Sequence, residues 1–415
     1  MIGIDIVETA RFREMTNLEM FIRRVFTQGE ADYFVSKQNA AKGFYASIAG
    51  HYAAKEAFAK AIGTGVRGFS LTDIEVCHND LGKPYIKFGG SRVNAYLTIS
   101  HTDLTAVAVV YLPDDIPQAG LPVYAGIDTY RELLPERMPD FNKGDRGKIF
   151  IAAGSVGMTG AACLSAVGAL RCGSGLVTVG LPKSAQPVAA IKLTEAMTVP
   201  LEEDENGILS LNALGEMKSR ISKSDVCVFG PGIGKNGDIG RLIESLISGS
   251  TDMLIDADGL NAIAEDTDIL RKHANRQSCR VVITPHPGEM SRLCGESIEA
   301  IQNNRIGVAS AFAKEFKVTV VLKGAGTVIA SPDGRTHINN SGNPGMAAGG
   351  TGDVLSGVIA SLMGQGLEPF EAAVLGVFLH GFAGDLACRD KSMYGMTAGD
   401  LAEMIPTAFQ ILNNK

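Results

Sequence analysis

Residues 343–357 read Asn343-Pro344-Gly345-Met346-Ala347-Ala348-Gly349-Gly350-Thr351-Gly352-Asp353-Val354-Leu355-Ser356-Gly357. Glycines crowd in ahead of a lone carboxylate, Asp353, and an apolar, helix-like run follows from Val354 to Met363. Glycines let a backbone approach an anion closely, and the N–H groups that open the next helix then point at it. An acid placed where phosphate charge collects needs a task. The one that fits is to take the proton from a hydroxyl being phosphorylated. Capping the helix N-terminus is the plainer role open to the same residue.

Working outward, apolar strand-like runs alternate with helical ones: Lys148–Ala153, Leu176–Leu181, Val226–Phe229, Met253–Asp256, Val281–Thr284 and Thr319–Leu322. Strands alternating with helices across short Gly/Pro turns predict a doubly wound α/β domain. Polar and glycine residues recur just past the ends of these runs, at Gly154–Ala161, Gly230–Gly234, Asp256–Asn261, Thr284–Glu289 and Lys323–Thr327. Ligands of an open α/β sheet bind at the carboxyl ends of its strands. Each loop alone could be an ordinary tight turn; together they predict one cleft. No useful Rossmann fingerprint and no Walker lysine motif is present.

The chain has 415 residues, more than one typical domain needs. A seam falls at residues 112–125, where three prolines interrupt all periodicity, so the expected organisation is 1–112, a linker 113–125 and 126–415. Hydrophobic content of 45% and charged content of 20% describe a soluble globular protein. The net charge of −7 is uneven: residues 1–112 carry 12 Lys+Arg against 11 Asp+Glu, and the remainder 26 against 34. Neither part is basic enough to suggest nucleic acid. Seven cysteines without a C-x-x-C pair argue against zinc and a disulfide framework and fit a reducing, cytoplasmic setting. The start, Met1-Ile2-Gly3-Ile4-Asp5, has no signal-peptide pattern. The apolar stretch Ala372–Ala387 contains His380 and Asp385 and is expected as a buried helix, not a membrane span.

The loops of the second part, with Lys143-Gly144-Asp145-Arg146-Gly147, resemble ADP/ATP-dependent NAD(P)H-hydrate dehydratase of the ribokinase-like superfamily, over residues 130–400. Asn142 stands where the family more often has His. The resemblance implies a Mg²⁺-dependent repair reaction. A nucleotide, ADP or ATP, phosphorylates the hydroxyl of hydrated NADH or NADPH (the S epimer), and phosphate then leaves to restore the reduced cofactor. It implies Asp353 as base and Ala161, Gly232, His286 and Asp353 around the hydrate. It also implies Lys323, Gly324, Ala325, Gly326, Thr327 and Gly352 around the nucleotide, and Gly350, Thr351 and Gly352 as the anion hole. For His286, a turn-capping role between two prolines is the alternative. An epimerase domain accompanies many relatives and would need about 200 residues; no such stretch stands here, so no epimerase activity is expected.

In the first part, Ile2-Gly3-Ile4-Asp5-Ile6 alternates as a strand, which predicts buried isoleucines with Asp5 on the opposite face. Tyr52, Glu56 and Lys60 step by four within the helical run Tyr45–Ile62 and share one face. Two carboxylates on separate elements suit a Mg²⁺ that keeps waters and bridges to phosphate. A solvated strand residue and a helix-surface Lys-Glu pair are the plainer readings. Gly3-Ile4-Asp5-Ile6-Val7-Glu8, Ala53-Ala54-Lys55-Glu56-Ala57-Phe58, Gly63-Thr64-Gly65, Gly82-Lys83-Pro84 and Ile99-Ser100-His101 resemble holo-[acyl-carrier-protein] synthase. That resemblance covers about residues 1–112. It implies an α+β 4′-phosphopantetheinyl transferase fold, Mg²⁺ on Asp5 and Glu56, and coenzyme A near Lys60, Gly63, Thr64, Gly65 and His101. The implied partner is an acyl carrier protein, and homo-oligomers are common in the family. His51 stands where an arginine is usual, which removes a permanent charge. A basic patch at Arg11, Arg13, Arg23 and Arg24 is the expected docking surface for an acidic carrier.

Two competing readings remain at this level. One is a small-molecule hydroxyl kinase of the same superfamily that releases a stable phosphate ester. The other makes one domain a non-catalytic scaffold.

Overall fold

The computed structural model describes residues 2–37, 43–62, 70–79, 82–89, 91–93, 95–112 and 127–413, and the chain divides into two compact units, 1–125 and 126–415. The expected linker 113–125 lies outside the described residues, as does the Gly63-Thr64-Gly65 turn.

The first unit is α+β. Strand β1 (Ile2–Glu8) opens it, and β2 (Ile74–His78), β3 (Pro84–Phe88) and β4 (Ser91–Arg92) form a small antiparallel sheet. Strands β5 (Tyr96–His101) and β6 (Thr105–Tyr111) join β1 in a second sheet of order β1-β6-β5. Helix Gly43–Ile62 lies across this second sheet, and Phe12, Phe34, Ile48, Phe58, Ile74 and Ile86 form the core around it.

The expected facing of β1 is reversed. Ile2, Ile4 and Ile6 are 65%, 52% and 63% exposed, while Gly3, Asp5 and Val7 face the helix. The cause is the closeness of the helix. A Cβ at position 3 would collide with the Ala57 carbonyl, so only glycine lets strand and helix meet there. Alternation gives the two faces of a strand but not which of them turns inward.

The buried side of helix Gly43–Ile62 carries an ion pair. Lys55 has no exposed surface and donates to Glu30 at 2.7 Å and to the carbonyls of Val25 (3.1 Å) and Leu71 (2.9 Å). Glu30 also accepts from the backbone N–H groups of Thr27 (2.9 Å) and Val76 (3.1 Å). Burial alone would raise the Glu30 pKa, but His51, whose Nδ1 stands 3.5 Å from Glu30 Oε1, and the Lys55 charge outweigh it and hold it below the ordinary value. His51 is therefore an interior residue, stacked on Tyr33, and not a surface docking charge.

The second unit is a three-layer α/β domain around a nine-stranded sheet. Its strands in chain order are β7 (Lys148–Ala152), β8 (Leu176–Pro182), β9 (Met197–Leu201), β10 (Val226–Phe229), β11 (Asp252–Ile255), β12 (Val281–Ile283), β13 (Thr319–Leu322), β14 (Val328–Ala330) and β15 (Thr336–Ile338). Their spatial order is β15-β14-β13-β12-β11-β10-β7-β8-β9, parallel from β9 to β13 and antiparallel beyond. The chain leaves β7 toward β9, then returns to β10 and runs the other way. The strand order therefore reverses between β7 and β10, where open α/β sheets place their ligand crevice. Helix Thr351–Gly364 crosses above this point against helix Thr159–Arg171. A Cβ at Gly168 would collide with the Val354 carbonyl, and one at Gly357 with the Ser165 carbonyl, so small residues on both helices set the close approach. Helix Pro369–Gly395 is long and apolar enough to cross a membrane by length and composition, but 83% of its apolar window is buried inside this domain.

Candidate functional site

The crevice is built from strand-end loops that touch. The Gly154 N–H donates to the Pro231 carbonyl at 2.8 Å, and Ser155 Oγ to the Gly232 carbonyl at 2.9 Å, which ties the loops after β7 and β10. A Cβ on Gly232 would stand 2.8 Å from the Ala161 Cβ, so these two predicted hydrate-site residues adjoin. By contrast, Asn142–Gly147 precedes β7, at the opposite end of the sheet. There Asn142 Oδ1 accepts from the Gly144 N–H at 2.7 Å, a turn-holding role remote from the crevice.

Helix Thr351–Gly364 starts at Gly350, whose φ of +93° suits glycine and whose added Cβ would collide with Leu164. Gly350, not Asp353, is the cap residue. The Thr351 hydroxyl is bound to the Met346 carbonyl at 2.9 Å and anchors the loop. Among the described residues the N–H groups of Gly352 and Asp353 have no acceptor, and the Asp353 carboxylate has no hydrogen bond or ion pair. First-turn amides of a helix lack internal partners and attract anions. Burial, helped by the Asp256 charge, pushes the Asp353 pKa up to about 6 against the pull of Lys323.

Lys323 stands beside this helix start, with Nζ 3.5 Å from where a Gly352 Cβ would be. Its ammonium is 2.8 Å from Asp256 Oδ1 and 3.9 Å from Glu289 Oε2. Burial opposes its charge, but Asp256, Glu289 and Asp353 together raise its pKa. The other Asp256 oxygen accepts from Ser356 Oγ at 2.7 Å. Gly324, Ala325 and Gly326 form the exposed turn between β13 and β14, while the Thr327 hydroxyl is spent on the Gly324 carbonyl at 2.9 Å. Arg305 braces that turn from below, donating to the Leu322 carbonyl at 2.8 Å.

His286 caps helix Pro287–Cys294: its Nδ1 accepts from the N–H groups of Gly288 (3.0 Å) and Glu289 (3.3 Å). The capping role is therefore real, and it leaves Nε2 carrying the proton. That Nε2 is 3.4 Å from Glu289 Oε1 on a half-exposed side chain, so it can still meet a ligand. Burial and the charges of Lys323 and Arg292 lower the His286 pKa. Burial pushes Glu289 up to about 7, despite Lys323. Spacing did not single out Asp256, Glu289, Arg305 or Ser356. The first two lie in strand-end loops and Ser356 in the glycine-rich stretch; Arg305 carries no local signal.

In the first unit, Asp5 Oδ1 accepts from Lys60 Nζ at 2.7 Å, and Glu56 lies one helical turn before Lys60 on the same face. Lys60 feels the charge of both acids, as does the Tyr52 hydroxyl, so the two carboxylates converge on one region. Hard oxygen donors that already attract a cation fit Mg²⁺ with retained waters. Among the described residues no group of three or more metal-ligating side chains forms. His101 lies in register with Ala106 and, across β6, with Val7, one step along the inner face from Asp5. Arg11 rests over the Tyr52 ring and Arg13 over Tyr45, while Arg23 and Arg24 are exposed.

Residues 149–407 match the sequence model of NAD(P)H-hydrate dehydratase. The chain belongs to that family. Residues 1–111 match the 4′-phosphopantetheinyl transferase superfamily. The ADP-dependent (S)-NAD(P)H-hydrate dehydratase of Neisseria meningitidis is 34% identical over 69% of this chain and 91% of its own length. The bifunctional NAD(P)H-hydrate repair enzyme Nnr of Moorella thermoacetica is 43% identical over 69% of this chain and 53% of its own. The chain thus spans about half the length of the bifunctional relatives it matches. Among solved structures, the ADP/ATP-dependent NAD(P)H-hydrate dehydratase of Bacillus subtilis, co-crystallized with ATP/Mg²⁺, is 28% identical with a TM-score of 0.60, covering 69% of this chain and 97% of that one. The family's domain thus coincides with the unit that holds Asp353.

Proposed function

We propose that the second unit restores NADH or NADPH from their hydrates at the expense of ADP or ATP. The observation that carries this reading is the Asp353 carboxylate, free of partners beside two unpaired amides and a lysine. At neutral pH a carboxyl of pKa about 6 is ionised yet basic enough to accept a proton. Asp353 takes the hydroxyl proton of the hydrate, and the freed oxygen attacks the terminal phosphorus of the nucleotide. The nucleotide departs one phosphate shorter. The amides of Gly352 and Asp353, with Lys323, meet the charge on the phosphoryl oxygens, which is most of what such a transfer needs. Phosphorylation converts hydroxide into a good leaving group. Loss of phosphate and of a neighbouring ring proton then restores the double bond. Ala161, Gly232 and His286 line the hydrate side of the crevice, and the Lys323–Thr327 turn with Gly352 the nucleotide side.

For the first unit we infer transfer of 4′-phosphopantetheine from coenzyme A to a serine of an acyl carrier protein. Asp5 and Glu56 would hold Mg²⁺, whose chemistry is to neutralise pyrophosphate charge. Lys60, bonded to Asp5, and His101, two strands away in register with Val7, would meet the anionic ligand, and Arg23 and Arg24 would offer an acidic carrier a basic surface. The outward sheet face, with Ile2, Tyr111 and Tyr96 in one row and Ile4 and Val109 in the next, supports a homo-oligomer.

The test is a pair of assays on the purified full chain with ADP and ATP compared: recovery of reduced-nicotinamide absorbance from the hydrate, and pantetheinylation of a carrier protein. Asp353→Asn should abolish the first and spare the second; Glu56→Ala should do the reverse. Absence of recovery with either nucleotide would overturn the repair reading, and a stable phosphorylated product would make the unit a kinase.

A further inference from the structure

Asp256 is 1% exposed, and both of its carboxylate oxygens are engaged: Oδ1 with Lys323 Nζ at 2.8 Å, Oδ2 with Ser356 Oγ at 2.7 Å. Ser356 also reaches the Gly352 carbonyl at 3.1 Å, so one carboxylate ties the end of β11 to the first turn of helix Thr351–Gly364 and to the cation at the end of β13. The next residue, Ala257, has φ 50° and ψ −117°, a conformation that costs free energy outside glycine and persists at sites where surroundings demand it. Lys323 has another acid within reach of its field, Asp353, yet makes no ion pair with it.

We propose that Asp256 is a positioning residue that clamps the Lys323 ammonium beside Gly352, where phosphoryl oxygens arrive, and so keeps it off Asp353, leaving that carboxylate free to act as base. The inference rests on the proposed role of Asp353. Without the clamp, the mostly buried ammonium has two acids to turn to: Glu289, 3.9 Å away but pushed by burial up to about 7, and Asp353, which at about 6 is the better ionised of the two at neutral pH. A lysine bound there would turn the base into half of an ion pair with little affinity for a proton. Two effects of losing Asp256 therefore act in the same direction. Its negative charge, which disfavours ionised Asp353, disappears, and the released cation, which favours it, comes closer.

The groups around Asp353 leave few other sources for such a change. Asp258 lies on the helix that follows β11. His380, on helix Pro369–Gly395, is committed to the Thr351 carbonyl at 2.8 Å, and burial pushes its pKa down to about 4. Helix Thr159–Arg171 presents Ser165 Oγ to the Asp353 carbonyl at 2.9 Å and carries Cys163, whose thiol burial raises, and Arg171 in its last turn. Strands β7 and β10 bring only Lys148, at the opposite end of the sheet, and the buried Cys227. From the helix Ala398–Asn413, Asp400 is bound to Thr397.

The test titrates Asp353 directly in the full chain. Carboxyl-¹³C aspartate labelling, with the resonance assigned by its loss in Asp353→Asn, gives its pKa, and the acid limb of kcat/KM for hydrate dehydration gives a second reading. Asp256→Asn should lower both by about one pH unit. Asp256→Asn combined with Lys323→Gln removes the cation that would collapse onto Asp353, and the pKa should return to or above the wild-type value. A purely structural role for Asp256 would not produce that reversal. Lys323→Gln alone should raise the Asp353 pKa by less than about one unit, since the clamped ammonium is not its partner. This arm also decides the matter if Asp256→Asn does not fold. An unmoved pKa in folded Asp256→Asn, or a larger rise in Lys323→Gln, overturns the proposal. Full dehydration by Asp353→Asn, with the titration shifts present, would instead sink the base assignment and leave the clamp standing.

Discussion

Replacing Lys55 with Met should unfold helix Gly43–Ile62 far more often than its size change suggests. Met fills the stem volume of lysine, so little cavity is made. What remains is Glu30, with no exposed side chain, without the ammonium 2.7 Å from its Oε2. The carbonyls of Val25 and Leu71 lose a donor as well. Removing one partner of a buried pair costs about 3–5 kcal/mol, because the other charge stays buried and unpaired. Hydrogen exchange of the helix amides in the full chain should therefore quicken by two orders of magnitude or more, on the scale of about 1.4 kcal/mol per tenfold. The deficit should shrink in acid, since a protonated Glu30 no longer needs a cation. Adding Glu30→Gln should recover much of the loss, because the amide oxygen can still accept a backbone N–H while the stranded charge is gone. A loss below about 1 kcal/mol in Lys55→Met, or a double variant no better than the single, would refute the reasoning.

Other outcomes follow from the same structure. Asp353→Asn should cut hydrate dehydration by about 10²–10⁴ while leaving ADP binding measurable by calorimetry. The same variant should stabilise the second unit at pH 8. The folded pKa of about 6 lies above the ordinary 3.8, so the native state holds its proton more tightly, and stability falls as pH rises between those values. The gain, of the order of 1–3 kcal/mol, should be present above about pH 6 and vanish below about pH 4 in thermal melts. Glu30 has the opposite sign: its lowered pKa means that the first unit should lose stability as pH falls through and below 4.5, read by exchange in helix Gly43–Ile62. Gly350→Ala, with φ +93° and a Cβ driven into Leu164, should displace the first helical turn and lower kcat by about 10²-fold with a smaller effect on hydrate KM. Gly3→Ala should push β1 from its helix, and pantetheinylation should fall together with helix protection.

The sheet of the second unit was legible because parallel strands buried on both faces read as continuous apolar runs closed by Gly and Pro turns. The runs ending at Thr284 and Leu322 match β12 and β13 to within a residue. Strand β9, Met197–Leu201, was not legible: it sits at the sheet edge, half-exposed, and contains Pro200. Strands β14 and β15 are three residues each, too short for any period to register. Strand β1 differs in another way. Its alternation is plain in the sequence, but the usual inference from isoleucine to burial fails where a helix backbone presses on Gly3.

The site divides along a similar line. Glycines, Asp353, His286 and Lys323 announce themselves because each stands next to something unusual in the chain: a cluster of glycines, a pair of prolines, the end of an apolar run. What tunes them does not. Asp256 acts on Lys323, 67 residues later, and on Ser356, 100 residues later. Those separations follow from strand order rather than from any local pattern. Glu289 adds a second case, since its burial beside Lys323 arises only once β12 and β13 pair. Spacing thus locates groups that must meet a ligand, because ligand chemistry restricts residue type within a loop. Burial contributes most to the shifts that make those groups acid or base at neutral pH, and the charges that adjust them come from neighbouring strands. Asp256 stands in the sequence as the first residue of one strand-end loop, and the role proposed for it toward Asp353 comes from geometry alone.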